Sequence, residues 1–165
     1  MSRVTLIHHI NIQISDRQRT RDFYEKVLGA EFLDRGPTLN KTQLQLRMGN
    51  AEIHTNEPAN VVQVPSVHFA VEVADWDEMI ENLETLGIPY HHNPRSSAMD
   101  ERESTWEHRE YTGHRYTYIR DPDNNIIELL YHPLGIEDSA GKKVEMPHDP
   151  DSLTWSKRPD YDTSR

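Results

Sequence analysis

Ile7-His8-His9-Ile10-Asn11-Ile12-Gln13-Ile14-Ser15-Asp16 and Ser66-Val67-His68-Phe69-Ala70-Val71-Glu72-Val73-Ala74-Asp75 are two versions of one local pattern, offset by 59 residues (68 − 9). In the first copy Leu6, His8, Ile10, Ile12 and Ile14 share one side of an extended chain, and Ile7, His9, Asn11 and Gln13 share the other. In the second, Val67, Phe69, Val71 and Val73 form one face and His68, Ala70 and Glu72 the opposite one. Each reads as a half-buried strand with an apolar side for a helix and a polar side for a cleft. Both run into an amphipathic stretch that stops at a glycine, Gly29 or Gly87. A strand–helix unit repeated with a histidine at the matching place implies a symmetric site that binds something between the copies. A metal ion is the natural occupant.

Working outward, Phe23, Tyr24, Val27 and Leu28 give the apolar stripe of a helix over 16–28, with Ser15 and Gln18 resembling a capping box. Strands are predicted near 30–35, 41–48 and 51–55, the last two joined at Gly49-Asn50. Residues 56–65 read as a linker. The second module repeats the order. Trp76, Met79, Ile80, Leu83 and Leu86 mark a helix over 75–86 that starts at Asp75 and Glu78, and strands follow near 88–92, 111–120 and 125–131. Asp121-Pro122-Asp123-Asn124-Asn125 supplies the final turn. Residues 93–110 are charged and polar and read as a long loop without a counterpart in the first module. The organisation is one domain over 1–132, with modules 4–56 and 66–132. A tail over 133–165 is expected to wrap the surface, with Trp155 as its anchor.

Composition narrows the partners. The 165 residues are 35% hydrophobic and 28% charged, which suits a globular chain. A net charge of −10 argues against nucleic acid and anionic lipid surfaces. No apolar run approaches the ~20 residues that span a bilayer, and the N-terminus lacks a signal-peptide pattern, so a cytoplasmic address is expected. There is no cysteine, which excludes disulfides, thiolate catalysis and Cys-ligated metals together. The ten histidines are then the natural nitrogen ligands.

The repeat also pairs the module-ending strands. Gly49-Asn50-Ala51-Glu52-Ile53-His54 lines up with Asn124-Asn125-Ile126-Ile127-Glu128, matching His54 to Glu128 at an offset of 74 (128 − 54). His9, His54, His68 and Glu128 form a candidate set of three imidazoles and one carboxylate. Such a set suits Fe(II), Mn, Co, Ni or Zn and is too nitrogen-rich for Mg or Ca.

The first histidine strand followed by Arg21-Asp22-Phe23-Tyr24-Glu25-Lys26-Val27-Leu28-Gly29, and the ending Tyr118-Ile119-Arg120-Asp121-Pro122-Asp123-Asn124-Asn125-Ile126-Ile127-Glu128-Leu129, resemble the vicinal oxygen chelate superfamily. That group contains glyoxalase I, extradiol dioxygenases, fosfomycin-resistance enzymes and bleomycin-binding proteins. The resemblance runs over residues 4–132. It implies an α+β fold of two βαβββ modules whose mixed sheets curl around a divalent metal, commonly in a homodimer that binds a small molecule. It places His9, His68 and Glu128 on the usual three ligand positions and His54 on a fourth that varies.

Within the superfamily the residues point several ways. Glyoxalase I usually has glutamate at the His54 position and a glutathione-binding arginine at that of Gln13; both are absent here. The fosfomycin transferases carry a basic residue shortly after the last ligand, where this chain has Glu137 and Asp138. Extradiol dioxygenases have a tyrosine ten residues before the glutamate ligand, which is Tyr118 here (128 − 10), placed to hydrogen-bond a bound catecholate. Asn124, Thr117 and the displaced His108 depart from that signature. The resemblance implies a metal-dependent enzyme, dioxygenase-like ahead of a glyoxalase-like lyase or isomerase in which Glu128 or His54 moves the proton. A metal-free binding protein of the bleomycin-resistance type ranks lower, because such proteins generally lose the ligand residues. His8 shares the apolar parity and reads as a core histidine. His91-His92 reads as a solvated strand end. Arg115, Tyr116 and Arg120 are either an anion-binding strand or one solvated face.

Overall fold

A computed structural model describes residues 8–62, 64, 67–95, 104–108, 114–133 and 136. Leu6, Ile7, part of the 93–110 loop, nearly all of the 133–165 tail and Trp155 lie outside the described residues. The chain divides into two compact units, within Met1–Val62 and Gln63–Met146.

Unit one runs β1 (His9–Gln13), α1 (Arg17–Leu28), β2 (Glu31–Phe32), a 3₁₀ turn (Leu39–Lys41), β3 (Gln45–Met48) and β4 (Ala51–Asn56). Its four-stranded sheet has the order β1-β4-β3-β2, with β1 and β4 parallel and the other pairs antiparallel. Unit two runs β5 (His68–Glu72), α2 (Trp76–Leu86), β6 (Glu107–His108), β7 (Arg115–Arg120) and β8 (Ile126–Tyr131), in the order β5-β8-β7-β6. Again the first and last strands pair in parallel. The result is an α+β fold built twice from the same mixed-sheet unit, and the paired βαβββ organisation is present.

The elements form for local reasons. Over the first four residues of β1 and β5 exposure alternates with the predicted parity, and Ile14 and Val73 just past their ends are buried. Tyr24 and Val27 of α1, and Trp76 and Leu83 of α2, are buried. Each such side chain contributes about 1.5–3 kcal/mol of apolar burial. Both helices start on an aspartate: the Asp16 carboxylate accepts from the Arg19 N–H at 2.8 Å, and that of Asp75 from Glu78 N–H at 3.0 Å. Both end on a left-handed glycine, Gly29 at φ 64° and Gly87 at φ 65°.

Several expectations are corrected. The cap of α1 is Asp16 rather than Ser15, whose hydroxyl accepts from Arg19 Nη2 at 2.7 Å; Gln18 turns forward to Asp22 and does not close a capping box. The strands expected over 30–35 and 41–48 shrink to Glu31–Phe32 and Gln45–Met48. Asp34 accepts from Gly36 N–H and Asn40 Nδ2, and this draws the intervening chain into a turn. No strand forms at 88–92 beyond a single bridge between His91 and Tyr118. The Ile88 N–H returns to Leu83 O, and Pro89 has no donor. Of the 93–110 segment, Glu107–His108 do have a counterpart, because β6 occupies the edge place that β2 holds in unit one; the connection from α2 to β6 is long where that from α1 to β2 is short. Val67 is 64% exposed and Leu86 40%, so neither joins the apolar face assigned to it. No helix among the described residues is long and apolar enough to cross a membrane.

Candidate functional site

Strand pairing decides which polar side chains meet. In unit one the parallel β1–β4 ladder sets His9 opposite Glu52 and Asn11 opposite His54. Period-2 alternation keeps Glu52 and His54 on one face of β4. The His9 and His54 rings stack with centroids 4.1 Å apart and planes 12° from parallel. His54 Nε2 lies 2.8 Å from Glu52 Oε2.

In unit two Glu128 stands opposite Ala70 on β5 and opposite Tyr118 on β7. Ala70 is too small to crowd the carboxylate, so the diagonal neighbour His68 reaches it: His68 Nε2 to Glu128 Oε2 is 3.2 Å. The Tyr118 hydroxyl donates to Glu128 Oε1 at 3.1 Å, and its ring stands edge-on to His68 at 5.6 Å. Glu128 is buried, and the Tyr118 hydroxyl donor and the His68 imidazole each lie against one of its desolvated oxygens.

The registers make the repeat explicit. His54 faces Asn11 as Glu128 faces Ala70, and the offset of 59 carries residue 11 onto residue 70. His54 and Glu128 therefore hold the same position in the two units. The predicted ligands come together as two pairs, His9 with His54 and His68 with Glu128. Among the described residues, no group of three or more metal-ligating side chains is gathered. The donors do fit a transition ion in kind: imidazole edges and a carboxylate lie on the polar strand faces, and His9 and His68 are exposed.

Other assignments change. His8 is exposed, with Nδ1 at 3.1 Å from His9 Nδ1, and is no core histidine. The second β1 strand position of Ile10 is half-buried, so alternation holds but the edge residue His8 escapes it. His91 is buried rather than solvated: its Nδ1 accepts from the Asn93 N–H at 2.9 Å. His92 bonds the Thr105 hydroxyl at 2.8 Å. Arg115 pairs with Asp77, Tyr116 with Glu107, and Arg120 with the Pro94 carbonyl. That strand is tied to its neighbours, and His108 lies exposed on β6. A cleft of about 570 Å³ at the start of α1, lined by Asp16, Arg17, Arg21, Phe32 and Lys41, contains none of the predicted site residues. Its arginines are paired with Glu57 and Glu25.

Two carboxylates escaped the sequence reading. Glu52 shares a strand face with His54, and the alternation Glu52-Ile53-His54 was the available signal. Glu72 shares the face of His68 and captures His132, a contact that no local pattern announces.

Comparison with known proteins agrees with the fold. A glyoxalase-family protein from Bacillus anthracis superposes with a TM-score of 0.62 at 21% identity, covering 80% of this chain and 98% of that one. The fosfomycin resistance protein FosX from Listeria monocytogenes does so with a TM-score of 0.60 at 19% identity, covering 79% and 96%. The doubled unit is thus shared with this class of structures. The chain belongs to the Glyoxalase/Bleomycin resistance protein/Dioxygenase superfamily, whose model matches residues 6–129. A curated relative, the trivalent organoarsenical cleaving enzyme of Bacillus sp. (strain MD1), is 25% identical over 132 residues, which is 80% of this chain and 76% of that protein.

Proposed function

We propose that this chain is a metal-dependent enzyme that chelates a small substrate through two adjacent oxygens, with dioxygenase-like chemistry ahead of the alternatives. His9, His54, His68 and Glu128 are the proposed ligands of a divalent transition ion, Fe(II), Mn, Co, Ni or Zn. When bound, the ion would supply Lewis-acid stabilisation of negative charge on the substrate oxygens. Glu128, flanked by His68 at 3.2 Å and Tyr118 at 3.1 Å, is the observation that carries the reading. Tyr118 has a hydroxyl hydrogen within reach of that centre, and its proposed task is to orient an acidic substrate oxygen. A homodimer acting in the cytoplasm completes the proposal.

The equivalence of His54 and Glu128 favours a second reading, a glyoxalase-like lyase or isomerase in which Glu128 or His54 carries a proton between neighbouring substrate carbons. Metal-free ligand binding ranks third, since the donors are retained. The arsenical relative adds bond-cleaving chemistry to the comparison. This chain has no cysteine with which to hold thiophilic trivalent arsenic, so that substrate is not proposed.

Elemental analysis of purified protein, followed by an oxygen-uptake screen with catechols and an isomerisation screen with hemithioacetals, tests these readings. Metal bound in proportion to protein, its loss in His68→Ala, and O₂ consumption support the first. Silence there with turnover of the thiol adduct supports the second. No metal in the wild type and no effect of His68→Ala remove both.

A further inference from the structure

Glu52 is a buried carboxylate, 4% exposed, to which the proposed chemistry gives no task. A carboxylate taken out of water needs hydrogen-bond donors. Its neighbours across the ladders are His9 on β1 and Arg47 on β3. Arg47 bonds Glu31, and the His9 ring lies flat against His54. Among the described residues, the ring nitrogen that reaches Glu52 is His54 Nε2, at 2.8 Å.

An ionised carboxylate only accepts, so a neutral His54 ring bonded to it through Nε2 carries its hydrogen there and keeps the Nδ1 lone pair. The stacked His9 ring covers one face of the imidazole and holds its plane. We propose that Glu52 is a positioning residue: it fixes His54 as the Nε2–H tautomer, so that Nδ1 is the atom offered to a metal ion. The proposal rests on the reading of His54 as a ligand. A carboxylate on the remote nitrogen of a ligating histidine sets ring orientation and raises ligand basicity.

The repeat supplies an independent argument. Glu52 faces His9 in unit one, and the residue that faces His68 in unit two is Ile126. The acid is thus present in the unit whose next ligand on the strand is an imidazole, His54. It is replaced by an apolar side chain where that ligand is Glu128, which has no tautomer to fix.

Three measurements on the full chain test this. They are the ¹⁵N shifts of the His54 ring in metal-free protein, the Co(II) affinity by competition titration, and the melting temperature. Wild type, Glu52→Gln, Glu52→Ala and His54→Ala are compared. The expected wild-type signature is a protonated Nε2 and a bare Nδ1, changing to a tautomer mixture in Glu52→Ala. Co(II) affinity is expected to fall about 10–100-fold in Glu52→Ala and by less in Glu52→Gln, which still accepts through its amide oxygen and guards against a folding defect. Wild-type binding that weakens in His54→Ala but not in either Glu52 variant overturns the inference alone, as does a wild-type hydrogen on Nδ1. No Co(II) binding by the wild type overturns the functional reading and this inference with it.

Discussion

Glu72 and His132 are joined twice: one carboxylate oxygen accepts the His132 backbone N–H at 2.7 Å and the other lies 2.7 Å from its Nδ1. Each lies four residues beyond a proposed ligand, Glu72 after His68 and His132 after Glu128. The double contact therefore clamps the parallel β5–β8 pair at the end opposite His68, and a slip in that register would part His68 from Glu128. A Glu72→Ala substitution is expected to cost about 2 kcal/mol, the range for hydrogen bonds to a charged group. Urea denaturation of the two proteins checks it, and equal midpoints would show that the clamp holds nothing.

Tyr118 is directly opposite Glu128 in the β7–β8 ladder, so its hydroxyl can be removed without altering strand pairing. In metal-saturated protein Tyr118→Phe is expected to lower kcat/KM about 10–100-fold, equivalent to one hydrogen bond to a charged oxygen. Steady-state kinetics of the metal-loaded protein decide the matter; an unchanged kcat/KM returns Tyr118 to the status of a packed aromatic.

Gly87 ends α2 in the left-handed region at φ 65°, with no atom near enough to obstruct a Cβ. The penalty of Gly87→Ala is therefore purely conformational, about 1–2 kcal/mol. Thermal denaturation reads it, and a neutral result would mean that the chain leaves α2 by another path.

Tyr90 is buried, and that burial pushes its phenol pKa above the ordinary 10.0; the hydrogen bond to Glu84 at 3.1 Å and the Glu84 charge push the same way. The folded state thus holds this proton more tightly than the unfolded chain does. Its contribution is full below pH 10.0 and is lost as pH rises through the folded value. The alkaline fall in stability is expected to be shallower in Tyr90→Phe than in wild type. Denaturation midpoints measured across that window give the answer, with parallel curves as the contrary result.

The repeat, the two helices with their glycine stops, the Gly49-Asn50 hairpin and the polar parity of His9 and His68 were legible because each depends on residues within a few positions of one another. Alternation and capping are local physics, and they carry over into the registers that equate His54 with Glu128. The shift of the α1 cap from Ser15 to Asp16 shows where that legibility ends. Two adjacent good caps compete, and the one whose oxygen meets Arg19 N–H is a matter of where the strand releases the chain.

Strand β6, the burial of His91 and the Glu72–His132 clamp belong to the tertiary structure alone. Each depends on which strand lies alongside and in what register, and the partners come from different elements. Sequence alone determined that histidines line the polar face of a doubled strand–helix unit, since side-chain direction along a strand follows from backbone geometry. Only the folded ladders decided that Glu72 captures His132 and that Tyr118 rests on Glu128, because those contacts exist once separate strands have paired.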